Sequence, residues 1–85
     1  MNLWIANLAP DVTDDDLRAL IAKYDANALE VAGVKRVPGD GSRPGAIVEV
    51  AGTLEAGRAL CNRLNGMYWR GRSLVAQEMM ERANP

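Results

Sequence analysis

Near the start of the chain, aliphatic residues alternate with others over residues 2–8: Leu3 and Ile5 fall on one side of an extended backbone, Trp4 and Ala6 on the other. The pattern predicts a strand over 2–8 that buries Leu3 and Ile5 and turns Trp4 outward, with Pro10 ending regular pairing. The period then changes. Leu17, Leu20, Ile21 and Tyr24 recur at the i, i+3, i+4, i+7 spacing of one helical stripe, which predicts a helix over 13–24. Thr13 suits its N-cap, and Asp16 stands where a capping box has its reciprocal acceptor. Asp14, Asp15 and Asp16 favour the positive end of the helix dipole. Residues 28–37 are strand-like, carrying Leu29, Val31, Val34 and Val37, but the alternation slips at Ala32-Gly33, where a bulge is expected. That slip leaves open which of Lys35 and Arg36 reaches the outer sheet surface.

Residues 38–44, Pro-Gly-Asp-Gly-Ser-Arg-Pro, read as a loop. Residues 45–50 predict a third strand, with Ala46, Val48 and Val50 on one face and Gly45, Ile47 and Glu49 on the other. A second helix is expected over 53–64, capped by Thr53, with Gly57, Leu60, Cys61 and Leu64 on its inner stripe. Asn65-Gly66 stops it in a left-handed turn. Met67 to Trp69 suggest a short extra strand, Arg70-Gly71 a turn, and 73–77 the last strand. At least one of Tyr68 and Trp69 is expected to pack against the second helix. A domain over 1–78 and a tail over 79–85 follow. The order strand-helix-strand-strand-helix-strand is that of an α+β, ferredoxin-like βαββαβ sandwich. Such a sandwich has a four-stranded antiparallel sheet with two helices on one face. Function is to be sought on the open face.

Composition narrows the chemistry. With 85 residues the chain is one domain, and 48% hydrophobic and 25% charged residues are ordinary for a globular protein. No apolar run approaches the ~20 residues that span a bilayer, and the first residues lack a basic, apolar leader, so a cytoplasmic protein with no membrane contact is expected. The single cysteine, Cys61, has no internal disulfide partner and is expected in the core; the absence of histidine disfavours a zinc site and removes the commonest general base. No enzyme, metal or cofactor is therefore expected. The aspartates at 11, 14, 15 and 16 read as a cap and a solvated face, because a helical run lacks the loop geometry that calcium prefers. Net charge is −1, low for a nucleic-acid binder. The distribution suggests a polarised molecule, with those aspartates at one end and Lys35, Arg36, Arg43, Arg63, Arg70 and Arg72 elsewhere.

Several segments are more specific than topology. Leu3-Trp4-Ile5-Ala6-Asn7-Leu8 resembles the short ribonucleoprotein motif of the RNA recognition motif family: aliphatic, aromatic, aliphatic, any, Asn, Leu. Thr13 to Leu17 is similar to that family's first helix start. Leu64-Asn65-Gly66, four residues, then Gly71-Arg72-Ser73-Leu74 is similar to its second-helix end and last strand. Arg43-Pro44-Gly45-Ala46-Ile47-Val48-Glu49-Val50 falls where the longer motif belongs. There Arg43, Ala46 and Val48 fit, but Gly45 and Ile47 replace the two exposed aromatics and Pro44 the glycine. The resemblance covers residues 2 to 77.

Such domains stack single-stranded bases on rings displayed by the two central strands. The resemblance therefore implies that Trp4 stacks a base, with Ala6, Gly45, Ile47, Glu49 and Val75 around it; Gln77 and Glu78 are expected near base edges. The resemblance also implies that Arg43 pairs with phosphate, while Lys35, Arg36, Arg70 and Arg72 are expected to line the backbone path. Stacking contributes about 1–3 kcal/mol per base, so loss of two rings removes roughly 2–6 kcal/mol if they act independently. Affinity for single-stranded or looped RNA is then expected at about tens of micromolar or weaker. The competing expectation is a protein-interaction or homodimerisation module of the same fold, in which Trp4, Ile47 and Val75 form an apolar interface. The expected state is a monomer or weak dimer.

Overall fold

The computed structural model describes residues 1–25, 29–38 and 44–79. The predicted start of the second strand at residue 28, Arg43 and most of its loop, and the tail beyond residue 79 lie outside the described residues. Eight elements follow in order: β1 (Asn2–Ala6), α1 (Asp14–Tyr24), β2 (Glu30–Val37), β3 (Gly45–Ala51), α2 (Leu54–Leu64), β4 (Tyr68–Trp69), β5 (Arg72–Ser73) and β6 (Val75–Met79). β2, β3, β1 and β6 form, in that order, a four-stranded sheet whose neighbours are all antiparallel. β4 and β5 make a separate two-stranded hairpin. The protein is thus a small α+β structure. No helix among the described residues is long and apolar enough to cross a membrane.

One core joins both helices to one side of the sheet. Leu3, Ile5, Val48 and Val50 from the strands meet Leu17, Ile21, Leu60 and Leu64 from the helices, each almost fully buried. The two helical stripes and the strand alternations had marked these residues. Met1 prolongs the β1–β3 ladder, its amine donating to the Val50 carbonyl at 2.9 Å and its carbonyl accepting from the Val50 N–H at 2.9 Å.

α1 begins as its sequence demands. Thr13 Oγ1 accepts from the Asp16 N–H at 3.1 Å, and Asp16 Oδ2 accepts from the Thr13 N–H at 3.0 Å, completing a capping box. The second of these bonds, from the Thr13 backbone N–H, aided by Arg70, holds the Asp16 carboxyl below its ordinary value of 3.8. α2 is capped by Thr53 in the same way on one side, Oγ1 accepting from the Ala56 N–H at 3.1 Å. It ends at Asn65, where Gly66 takes φ +82° in a tight turn closed by the Met67 N–H donating to the Leu64 carbonyl at 3.0 Å.

Two expectations are corrected. The last strand runs over Val75–Met79 rather than 73–77, because Arg72 and Ser73 are taken up by the hairpin; Met79 therefore belongs to the sheet. That hairpin turns on Arg70 and Gly71, both with positive φ (54° and 82°), as a two-residue turn of the primed type requires. Trp69 lies beside α1, in a crevice with Asp16, Ala19, Leu20 and Tyr24, and packs on the core to which both helices contribute, while Tyr68 is 73% exposed. The charge segregation also fails. Arg36 approaches Asp14 at 3.4 Å and Arg70 approaches Asp16 at 3.2 Å, so the acidic helix start is met by two of the arginines assigned to the basic region.

Thr13→Ala removes the N-cap acceptor and should lower stability by about 1 kcal/mol, seen as a fall in Tm of about 4–8 °C. Asp16 stabilises the fold as a carboxylate, fully so above pH 3.8 and progressively less as pH falls through its lower folded value. The Tm difference between the parent and Asp16→Asn should therefore narrow as pH is taken below 3.8.

Candidate nucleic-acid interface

Register decides which side chains share the open face. Directly opposed residues in antiparallel strands project to the same side. Lys35 opposes Ile47, Ile47 opposes Trp4, and Trp4 opposes Gln77, so these four form one row across all four strands. Val37 opposes Gly45 and Ala6 opposes Val75 in the next row. On the other side of the central row, Gly33 opposes Glu49, Glu49 opposes Asn2, and Asn2 opposes Met79. The register shift between Val31 and Gly33 is the bulge expected at Ala32-Gly33. It restores the alternation such that Lys35 faces outward and Arg36 faces the helices.

Trp4 is partly buried, and it is absent from the residues packed on the core. Its ring reaches diagonally over Gly45, a distance aromatic side chains can span. A Cβ placed on Gly45 would stand 2.5 Å from ring Cη2, 2.9 Å from Cζ2 and 3.1 Å from the Ile5 carbonyl oxygen. Gly45 is accordingly buried although it lies on the open side. The Cζ2–Cη2 edge of the indole thus reaches from β1 over Gly45 of β3. Beside it, Asn2, Gly33, Lys35, Ile47 and Glu49 border a shallow depression that offers a cation, a carboxylate and an amide.

The expected site residues separate into three groups. Trp4, Ala6, Lys35, Gly45, Ile47, Glu49, Val75 and Gln77 come together on the open face. Arg43 lies outside the described residues. Arg36 and Arg72 sit elsewhere: Arg36 Nη1 donates to the Val12 carbonyl at 2.6 Å, and Arg72 Nη1 donates to the Leu8 carbonyl at 3.1 Å. Both brace the segment between β1 and α1. Glu78 likewise points to the helices, where its carboxylate accepts from Arg58 Nε at 2.8 Å. Sequence reading passed over Asn2, Val37 and Met79. Alternation with Trp4 marks Asn2, and continuing the Val75, Gln77 period by one step marks Met79.

The described part of the face carries few charges: Lys35, with Glu49 and, beside Ala51 at the far end of β2, Glu30. Its chemistry is stacking and apolar contact. No cluster of three or more potential metal ligands occurs among the described residues. Cys61 is buried on α2, and burial, with Glu78 nearby, pushes its thiol up to about 11. Neither a family model nor a curated protein matches the sequence.

Because the Cys61 thiol is both buried and held protonated, alkylation by iodoacetamide at pH 8 should proceed at a small fraction of the rate seen in denaturant. Equal rates in the native and unfolded protein would contradict the burial described here.

Proposed function

We propose that this chain is an RNA recognition motif domain of ferredoxin-like βαββαβ topology that binds single-stranded or looped RNA weakly, without catalysis. The observation that carries the reading is the Trp4 indole spread on the open face, opposite the core, with Ile47 and Gln77 in register on either side. A planar ring on an open sheet presents a π-face to any unpaired base, whatever its identity. Gln77 supplies an amide donor and acceptor for base edges.

Two further features set the strength. Lys35 is the one cation of the central row, and Arg43 stands in the sequence just ahead of β3. Arg36 and Arg72 are engaged with backbone carbonyls, which leaves few groups for phosphate. Affinity at about tens of micromolar or weaker follows from one stacked base and one or two phosphate contacts. Glu49 repels phosphate, so the strand backbone is expected to run along the β2 side, past Lys35. This reading places the domain in the cytoplasm, where RNA is present.

One observation favours a second reading, a protein-interaction or homodimerisation module. Val75 and Met79 on the edge strand are 38% and 39% exposed and extend the apolar surface of Trp4 and Ile47. Fluorescence titration with short RNA oligomers, using a Trp69→Phe protein so that Trp4 alone reports, separates the two. RNA binding predicts quenching that vanishes in Trp4→Ala. It also predicts a slope of log affinity against log salt of about −0.7 to −1.4, for one or two neutralised phosphates. The Lys35→Glu, Arg43→Glu double variant should bind all sequences more weakly. No quenching, with concentration-dependent dimerisation in sedimentation, would favour the interaction reading instead.

A further inference from the structure

We infer that Gly45 is a positioning residue: the absence of a side chain there seats the Trp4 ring flat across β1 and β3, creating a platform for one unpaired base. The inference rests on the RNA-binding reading above and names what that site takes.

Counting aromatic residues treats Gly45 as a lost platform. The geometry gives it another role. The ring of Trp4 occupies the space into which a residue 45 side chain would project, with Cη2 and Cζ2 2.5 Å and 2.9 Å from the Cβ position. The Ile5 carbonyl, 3.1 Å away, closes the other side and leaves an added Cβ little freedom to turn aside. A side chain at 45 would therefore displace the indole from its seat over β3. Gly45 is buried by that ring, so indole and glycine are packed against each other in the free protein. A ring lying down covers two strands and shows one broad face outward. A ring standing up shows an edge and mobile sides. The broad face with Ile47 beside it accommodates one base. The rest of the described open face has no second ring, since Tyr24 is on α1, Trp69 packs beside α1 and Tyr68 lies on the separate hairpin.

The test uses Gly45→Ala and Gly45→Phe in the Trp69→Phe protein, each also with Trp4→Ala, and thermal unfolding to confirm that each variant folds. In the free protein, Gly45→Ala is expected to shift Trp4 emission to longer wavelength as the ring rises into water. Affinity for a hexamer RNA is expected to fall about tenfold with Trp4 present and to change less than about twofold in Trp4→Ala. Gly45→Phe adds an aromatic residue yet is expected to weaken binding. A hexamer-length abasic RNA carrying one base is expected to bind within about threefold of the full hexamer. An unmoved emission, equal loss in both Trp4 backgrounds, or tighter binding by a folded Gly45→Phe protein would overturn the positioning role. Should Gly45→Phe not fold, the Gly45→Ala comparisons decide alone. A loss of about tenfold or more for the one-base oligomer would overturn the single-base assignment. Absence of quenching of the parent protein by any oligomer would remove the RNA reading, and the single-base assignment with it. The emission shift would still judge the seat of the ring independently.

Discussion

The side-chain alternation of β1 is the constraint on which the molecule turns. Leu3 and Ile5 are 1% and 0% exposed, and they hold the centre of the core between β3 and β6. Since strand side chains alternate with a period of two, burying that pair leaves Trp4 no inward position. A one-residue slip would expose both aliphatic residues and drive the indole into a core shaped for smaller side chains. The register is held along the length of the strand, from the Met1–Val50 pair at one end to the Ala6–Val75 pair at the other. The open face inherits its layout from that choice. Ile47 and Gln77 flank the ring because they oppose residue 4, and Gly45 lies under it because it is the diagonal neighbour.

Charge is used mainly to assemble the fold. Arg36, Arg70 and Arg72 each bridge distant parts of the chain, reaching Val12 and Asp14, Asp16, and Leu8 respectively. Arg70 ties the β4–β5 hairpin to α1 through its ion pair with Asp16, and it also lies over the neighbouring Trp69 ring at 5.2 Å. Lys23 and Arg63 crowd Tyr24 at 5.5 Å and 4.8 Å in the same manner. These contacts face the helical side or the hairpin. Among the described residues, the sheet surface is left with Lys35 as its cation.

Local rules made much of this legible before any coordinates. Helical stripes located Leu17, Leu20, Ile21, Leu60 and Leu64 in the core, Thr13 and Thr53 marked both helix starts, and strand alternation placed Trp4 outside. What escaped was set by pairing across the chain. The bulge at Gly33 decides between Lys35 and Arg36, and its register depends on β3 rather than on β2 alone. Arg36 and Arg72 looked free because their carbonyl partners lie 24 and 64 residues away. The last strand began late because the hairpin had already claimed Arg72 and Ser73, a competition that no periodicity within 73–77 records. Gly45 was read as a deficit since sequence shows what a residue lacks and not which neighbour fills the space.

Nuclear Overhauser spectroscopy of the free protein observes the position of the Trp4 ring directly. Strong contacts are predicted from the Trp4 Cη2 and Cζ2 protons to the Gly45 α-protons, which should also be shifted upfield by the ring current. Contacts from the Trp4 ring to Leu17, Ile21 or Leu60 instead would put the indole on the helical side and contradict the account.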